Sequence, residues 1–285
     1  MNPENLDRRE FLGLGVAAAM LALPQTASFA APSTVTVGDD RWHGLKIGVA
    51  SYTFRSFPLD GCIKGIQRVG LKYVSIKDMH LPMKSTADEC KSVAQKFKDA
   101  GIIPLSCGVV YMPADEPGIR AAFEYARDLG VPTIVCSFEP SSVALLDKMV
   151  KEYDIRLAIH NHGPGDKRYP RPSDVIKIVE AYDKRLGLCI DIGHTLRAGE
   201  DPAQSIVKFM DRLYDIHLKD VNRADEKGSA LEAGRGVLDM KSVFKAMLQA
   251  KFTGLAGFEY EKDGNDPIPG LAESVGYCKG ILTGM

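Results

Sequence analysis

Net charge is what this sequence has least of. Its 36 lysines and arginines almost cancel its 37 aspartates and glutamates, leaving −1 at neutral pH. That balance offers no basic footprint for a nucleic-acid backbone or an anionic membrane surface. A Gly-rich phosphate or dinucleotide loop is also missing after the first strand-like run, which weakens an open nucleotide-binding sheet. The six cysteines, at 62, 90, 107, 136, 189 and 278, share no metal or redox spacing. Cys107, Cys136 and Cys189 fall inside apolar strand-like runs and read as small buried hydrophobes.

The N-terminus is expected to stand apart from the fold. "DRREFLGLG" (7–15) leads into the apolar run "LGLGVAAAMLALP", and the small residues Ser28 and Ala30 mark a cleavage point before Ala31. A charged start, a short apolar stretch and an A-x-A-like end make a secretory signal over residues 1–30. Paired Arg8 and Arg9 resemble the twin-arginine export address, which implies a periplasmic destination reached in the folded state. A protein folded before export could load an ion inside the cell, and folding first argues against a disulfide framework. No cysteine lies in the signal to carry a lipid anchor. Residues 31–44 read as a linker, and 45–285 as one domain.

From Trp42 onward, short apolar runs alternate with amphipathic stretches. The strand candidates are 46–54, 73–78, 102–110, 133–138, 156–162, 186–194, 213–221 and 254–260, eight in all. Helix candidates between them include 86–100, 118–130 and 172–184, with Gly101 and Gly130 as stop signals. Strict alternation implies parallel pairing through crossovers, and eight units in this length predict a single (β/α)8 TIM barrel.

Barrels of this kind gather their chemistry at the C-terminal ends of the strands. Those ends carry Lys77, His80, Glu139, His160, His162, Asp191, His194, His217, Lys219, Asp220, Glu259 and Glu261, including five of the six histidines. Strand parity puts His160 with His162, Asp215 with His217 and Lys219, and Glu259 with Glu261. A carboxylate such as Asp191, ending the apolar run "LGLCI", is costly to bury unless it is paired or bound to a cation. Imidazoles and carboxylates from neighbouring strands suit one divalent ion, Mn2+, Zn2+ or Co2+, or else an internal salt-bridge network of the same residues.

"DIGHTLRAGEDP" (191–202), "YDIHLKDVNR" (214–223), "GRGVLD" (234–239) and "GFEYE" (257–261) resemble the xylose isomerase-like barrels of the sugar phosphate isomerase/epimerase superfamily. The resemblance covers the chain from about residue 45 onward. It implies a divalent ion, with Mn2+ expected ahead of Zn2+, Co2+ or Mg2+. Asp191, His217 and Glu259 match three of the family's ligand positions. His194 and Arg223 match its substrate contacts, and Glu139, His80 and Lys219 are further substrate-binding candidates. The fifth-strand ligand, a Glu in the epimerases, aligns here with His160, while Glu139 is an alternative ligand. Arg235 in "GRGVLD" is a weaker contact in a loop expected to close over substrate.

The function so implied is proton abstraction next to a carbonyl, with the ion stabilising the resulting enediolate. Glu259, His162 and Lys77 are the candidate bases. An isomerase or epimerase of an unphosphorylated sugar or keto-sugar is the leading expectation. A β-eliminating lyase or dehydratase acting on 3-keto-glycosides or keto-inositols stands close behind. It is favoured by the His160 departure, because an imidazole whose lone pair holds a metal cannot return a proton. A non-catalytic sugar-binding barrel and a DNA-repair nuclease on the same fold are the remaining readings; small sugars are the expected partners, with no nucleic acid and no membrane anchor. Apolar helix faces would suit a homo-oligomer.

Overall fold

The computed structural model describes residues 41–285; the expected export signal, and the linker up to residue 40, lie outside the described residues. Eight parallel strands close into a barrel in the order β1–β10–β7–β6–β5–β4–β3–β2. They are β1 (Lys46–Ala50), β2 (Tyr73–Ile76), β3 (Ile103–Tyr111), β4 (Thr133–Ser137), β5 (Arg156–His160), β6 (Leu186–Asp191), β7 (Leu213–Leu218) and β10 (Leu255–Phe258). The expected TIM barrel is therefore present, one strand for each candidate run. Among the described residues no helix is long and apolar enough to cross a membrane.

The outer layer is helical: α1 (Leu59–Val69), α2 (Ala87–Asp99), α3 (Glu116–Leu129), α4 (Val143–Tyr153), α5 (Pro172–Val179), α6 (Ile192–Arg197), α7 (Pro202–Lys208), α8 (Met240–Gln249) and α9 (Ile268–Thr283). Local chemistry sets their ends. Thr86 and Glu89 form a capping box at the start of α2, and Asp115 caps α3 through Gly118 N. Gly130 ends α3 with φ 75°, a left-handed turn that glycine enters without a Cβ penalty. The stretch expected to be helical to residue 184 stops at Val179, and 51–54 leaves β1 for a 3-10 turn.

Strand alternation divides the core into two unlike parts. Residues facing the helices, such as Ile134, Leu157, Ile159, Leu188, Ile190 and Ile216, are apolar and fully buried. The barrel interior is small or polar: Ser75, Ser106, Ser137, Ala158, Cys189, Asp215 and His217 are all buried. Ser106 Oγ donates to Asp215 Oδ2 at 2.8 Å, and burial pushes Asp215 up to about 7. All six cysteines are free and buried, as small hydrophobes would be.

After β7 the chain forms a two-residue antiparallel ribbon, β8 (Asp220–Val221) with β9 (Ala230–Leu231). The buried Asp220 carboxylate then accepts N–H groups from Val221 (2.8 Å), Gly234 (2.9 Å), Gly236 (3.0 Å) and Leu238 (3.2 Å). Glycine is required at 236, where a Cβ would lie 2.1 Å from Asp220 Oδ1. "GRGVLD" is thus wrapped round a carboxylate. Arg235 points instead to Glu273 on α9, with Nη2 2.8 Å from Oε2.

Asp220→Ala should strand several of these N–H groups and cost roughly 2–4 kcal/mol of stability in urea unfolding. An unchanged midpoint would show that other contacts hold the loop.

Candidate metal centre and active site

Three strand ends and the residue after a fourth build the site. His160 ends β5, Asp191 ends β6, His217 lies on β7, and Glu259 follows β10. Register aligns Asp191 with His217, and His217 with Gly257, so the side chains meet at one height. His160 Nε2 lies 2.9 Å from His217 Nδ1 and 3.6 Å from Asp191 Oδ2; His217 Nδ1 lies 3.1 Å from Glu259 Oε2. One ligand atom from each of the four falls within 4.8 Å of the others, and all four residues are buried.

β6 stops where it does because Asp191 caps the next helix: its Oδ1 accepts from His194 N at 2.8 Å. That capping bond truncates the strand expected to run to residue 194. It also leaves Asp191 Oδ2 buried and turned toward His160 and Lys219. Two imidazole nitrogens and two carboxylate oxygens turned toward each other form a donor set that fits one divalent cation of the Mn2+, Zn2+ or Co2+ type. Cys189 also lies near His160 and His217, and its thiol donates to Asp215 Oδ1.

Lys219 completes the cluster. Its buried ammonium lies 2.9 Å from Asp191 Oδ2, 2.8 Å from Glu259 Oε2 and 3.1 Å from Glu261 Oε2. Burial opposes its charge, yet these three carboxylates raise it well above the ordinary lysine value. Burial would likewise raise Asp191 and Glu259, but the facing cations hold both well below the carboxylate range. For His217 burial is outweighed by Glu259, which lifts it to about 9, whereas burial takes His194 down to about 4.

His162 lies one turn of loop beyond β5, its ring centroid 4.4 Å from that of His160. Its Nδ1 is 3.2 Å from Asp166 Oδ2, and its Nε2 is 3.4 Å from the Tyr111 hydroxyl. His194 joins the rim through Lys219 Nζ, 3.4 Å from its Nε2.

Other expected residues are placed elsewhere. Glu139 is more than half exposed and accepts from Arg168 Nη1 at 2.8 Å, so it does not replace His160 among the converging donors. Lys77 donates to the Val109 carbonyl and lies 3.4 Å from Asp78 Oδ1. His80 is buried with Nδ1 3.0 Å from Ser51 Oγ. Arg223 is exposed and paired with Asp225 at 2.6 Å. Asn161, unsuspected from sequence, accepts from Asp191 N at 3.0 Å and donates to Thr195 Oγ1 at 3.1 Å, fixing the strand ends on either side. Its position between two singled-out histidines was the available signal. Tyr111 and Asp166 were also missed.

An eight-stranded parallel barrel with four convergent metal-type ligands at its C-terminal mouth defines a class of proteins by architecture and site together. The family model described as "Xylose isomerase-like TIM barrel" matches residues 64–281, and this chain belongs to that family. An inosose dehydratase from Clostridium tetani is 30% identical over 135 residues, covering 41% of this chain and 44% of the relative. The matched stretch therefore spans less than half of the relative's length. A structure from Parabacteroides distasonis superposes with TM-score 0.64 at 25% identity, over 82% of this chain and 98% of that one. The 3-keto-D-glucoside 4-epimerase of E. coli gives TM-score 0.67 at 15% identity, over 83% and 99%, a likeness of fold.

Asp191→Ala should abolish retention of Mn2+ after desalting, as measured by elemental analysis. Full occupancy in that variant would remove Asp191 from the ligand set.

Proposed function

We propose that this protein is a divalent-metal-dependent enzyme that removes the α-proton of an unphosphorylated sugar or keto-sugar, within the range of isomerases, epimerases and carbon–oxygen lyases, and that loss of a β-oxygen is the outcome its residues favour. One observation carries this reading: a partly exposed imidazole, His162, backed by Asp166, stands beside a ligand set whose two carboxylates are both engaged. A divalent ion held by His160, Asp191, His217 and Glu259 would draw charge from a carbonyl oxygen as the neighbouring carbon loses its proton.

The chain's own groups divide the remaining work. His162 takes the proton on Nε2, while Asp166 behind Nδ1 orients the ring. Glu259 is a poor base because its Oε2 already receives Lys219 and faces His217. Proton return on the opposite face needs a second open base, and His160 is turned into the ligand set instead. With one base, the released electron pair forms a C=C bond, the β C–O bond breaks, and the departing oxygen takes a proton from water. The inosose dehydratase name of the curated relative supports elimination over epimerisation.

An unphosphorylated substrate suits the charges at the mouth. Lys219 and Arg168 each already face a carboxylate, which leaves neither a free charge for a phosphate. It also suits the periplasmic destination we propose from the paired arginines, and Mn2+ is the ion we propose for a protein that folds before export.

Mn2+-loaded protein with methyl 3-keto-β-D-glucopyranoside in D2O should release methanol, followed by proton NMR. Deuterium entering an intact glycoside would instead make it an epimerase. His162→Gln should lower turnover by about a hundredfold or more with Mn2+ still bound; near-normal turnover would take the base role from His162. His160→Glu should shift the products toward epimerisation, and an unchanged ratio would argue against the role given to the imidazole.

A further inference from the structure

Tyr111 is 63% exposed, the most exposed of the large hydrophobic side chains among the described residues. It is nevertheless well fixed. It ends β3, pairs in register with Ser137 of β4, and the next residue, Met112, donates to the Ser137 carbonyl at 2.8 Å. Its ring lies near parallel to His162, 25° between planes and 6.0 Å between centroids, and Lys77 Nζ is 5.6 Å from its centroid. An aromatic held this rigidly with most of its surface in water gains nothing for the fold by that exposure.

Two cavities meet at this ring. One of about 470 Å3 is lined by Tyr111, His162, Gly165, Asp166, Lys167 and Arg168. A second, of about 150 Å3, runs past Tyr111 to Lys77 and Met83. The larger opens beside His162, whose ring abuts His160 of the ligand set, so it continues outward from the reacting position. Across it, Gly165 leaves open space where a side chain would stand. The charges at its rim balance: Arg168 lies against Glu139 at 2.8 Å, and Lys167 and Asp166 add one charge of each sign. What the cavity offers is an aromatic face, an imidazole edge and a rim of no net charge.

We propose that Tyr111 is a specificity-determining residue whose ring, with the cavity beside it, receives a neutral second ring attached to the reacting sugar, that is, the aglycone of a glycoside. A flat or pyranose ring stacks there, while the keto-sugar lies over the ligand set. This deepens the reading above and rests on it. A free monosaccharide would leave the cavity in water, so a ring-bearing glycoside is the preferred substrate.

The test compares methyl with phenyl 3-keto-β-D-glucopyranoside on Mn2+-loaded protein, following loss of the α-proton signal in D2O, which reports exchange and elimination alike. Stacking of this kind predicts a KM for the phenyl glycoside roughly three- to tenfold below that for the methyl. Tyr111→Ala should bring the ratio to about one, and Tyr111→Phe, which keeps the ring, should retain it. A ratio unchanged in Tyr111→Ala, or a 4-carboxyphenyl glycoside preferred to the phenyl, overturns the proposal. Turnover of both glycosides by the wild type without a phenyl preference removes the aglycone site alone. Turnover of neither removes the proposed function and the site with it.

Discussion

One carboxylate, that of Asp191, joins the fold to the site. Its Oδ1 accepts the His194 N–H, ends β6 and starts α6, while Oδ2 faces His160 and Lys219. Its backbone is held from both sides, the N–H by Asn161 and the carbonyl by Thr195 Oγ1 at 2.6 Å. A group tied at three points has almost no freedom of orientation, so the direction of Oδ2 follows from the barrel itself. This is the preorganisation that cation binding and electrostatic catalysis both require.

The barrel tolerates such a concentration of charge because its two faces are built differently. Apolar residues carry the burial energy on the helix side, and the interior is reserved for small and polar groups. Within it Lys219 meets three carboxylates, and His217 meets Glu259. Desolvation would otherwise make each of these groups several kcal/mol too costly to bury. Such a balance shares two cations among the same oxygens that can bind a metal, so an incoming dication competes with groups already present.

Alternation and Gly stops made the eight strands legible, because a parallel strand buried on both sides is a short apolar run between two helical patterns. Strand ends were less so. Parity continues past the last hydrogen bond, and it carried the expected strand through Asp191 to His194 although a capping bond had already turned the chain. The four convergent ligands were legible for the same reason, since parity and strand position place them at one height. Lys219 was visible as a strand-end cation, but its place among three carboxylates depends on β6 and β10, which lie far away in sequence. Glu139 and Arg223 mislead because position at a strand end says nothing about direction once the chain has left the sheet, and each has found a local partner of opposite charge. Tyr111 and Asp166 escaped notice for the converse reason: their importance lies in His162, which each meets only in the folded barrel.

Asp220 sits three residues after His217, yet it anchors a separate piece of chain by three N–H groups, those of Gly234, Gly236 and Leu238. The ribbon tip between β8 and β9 is therefore bracketed by a clamp that does not pass through the ligand set. The length of that tip can therefore change without moving His217, so the chain beside the mouth can vary while the ligand set keeps its geometry.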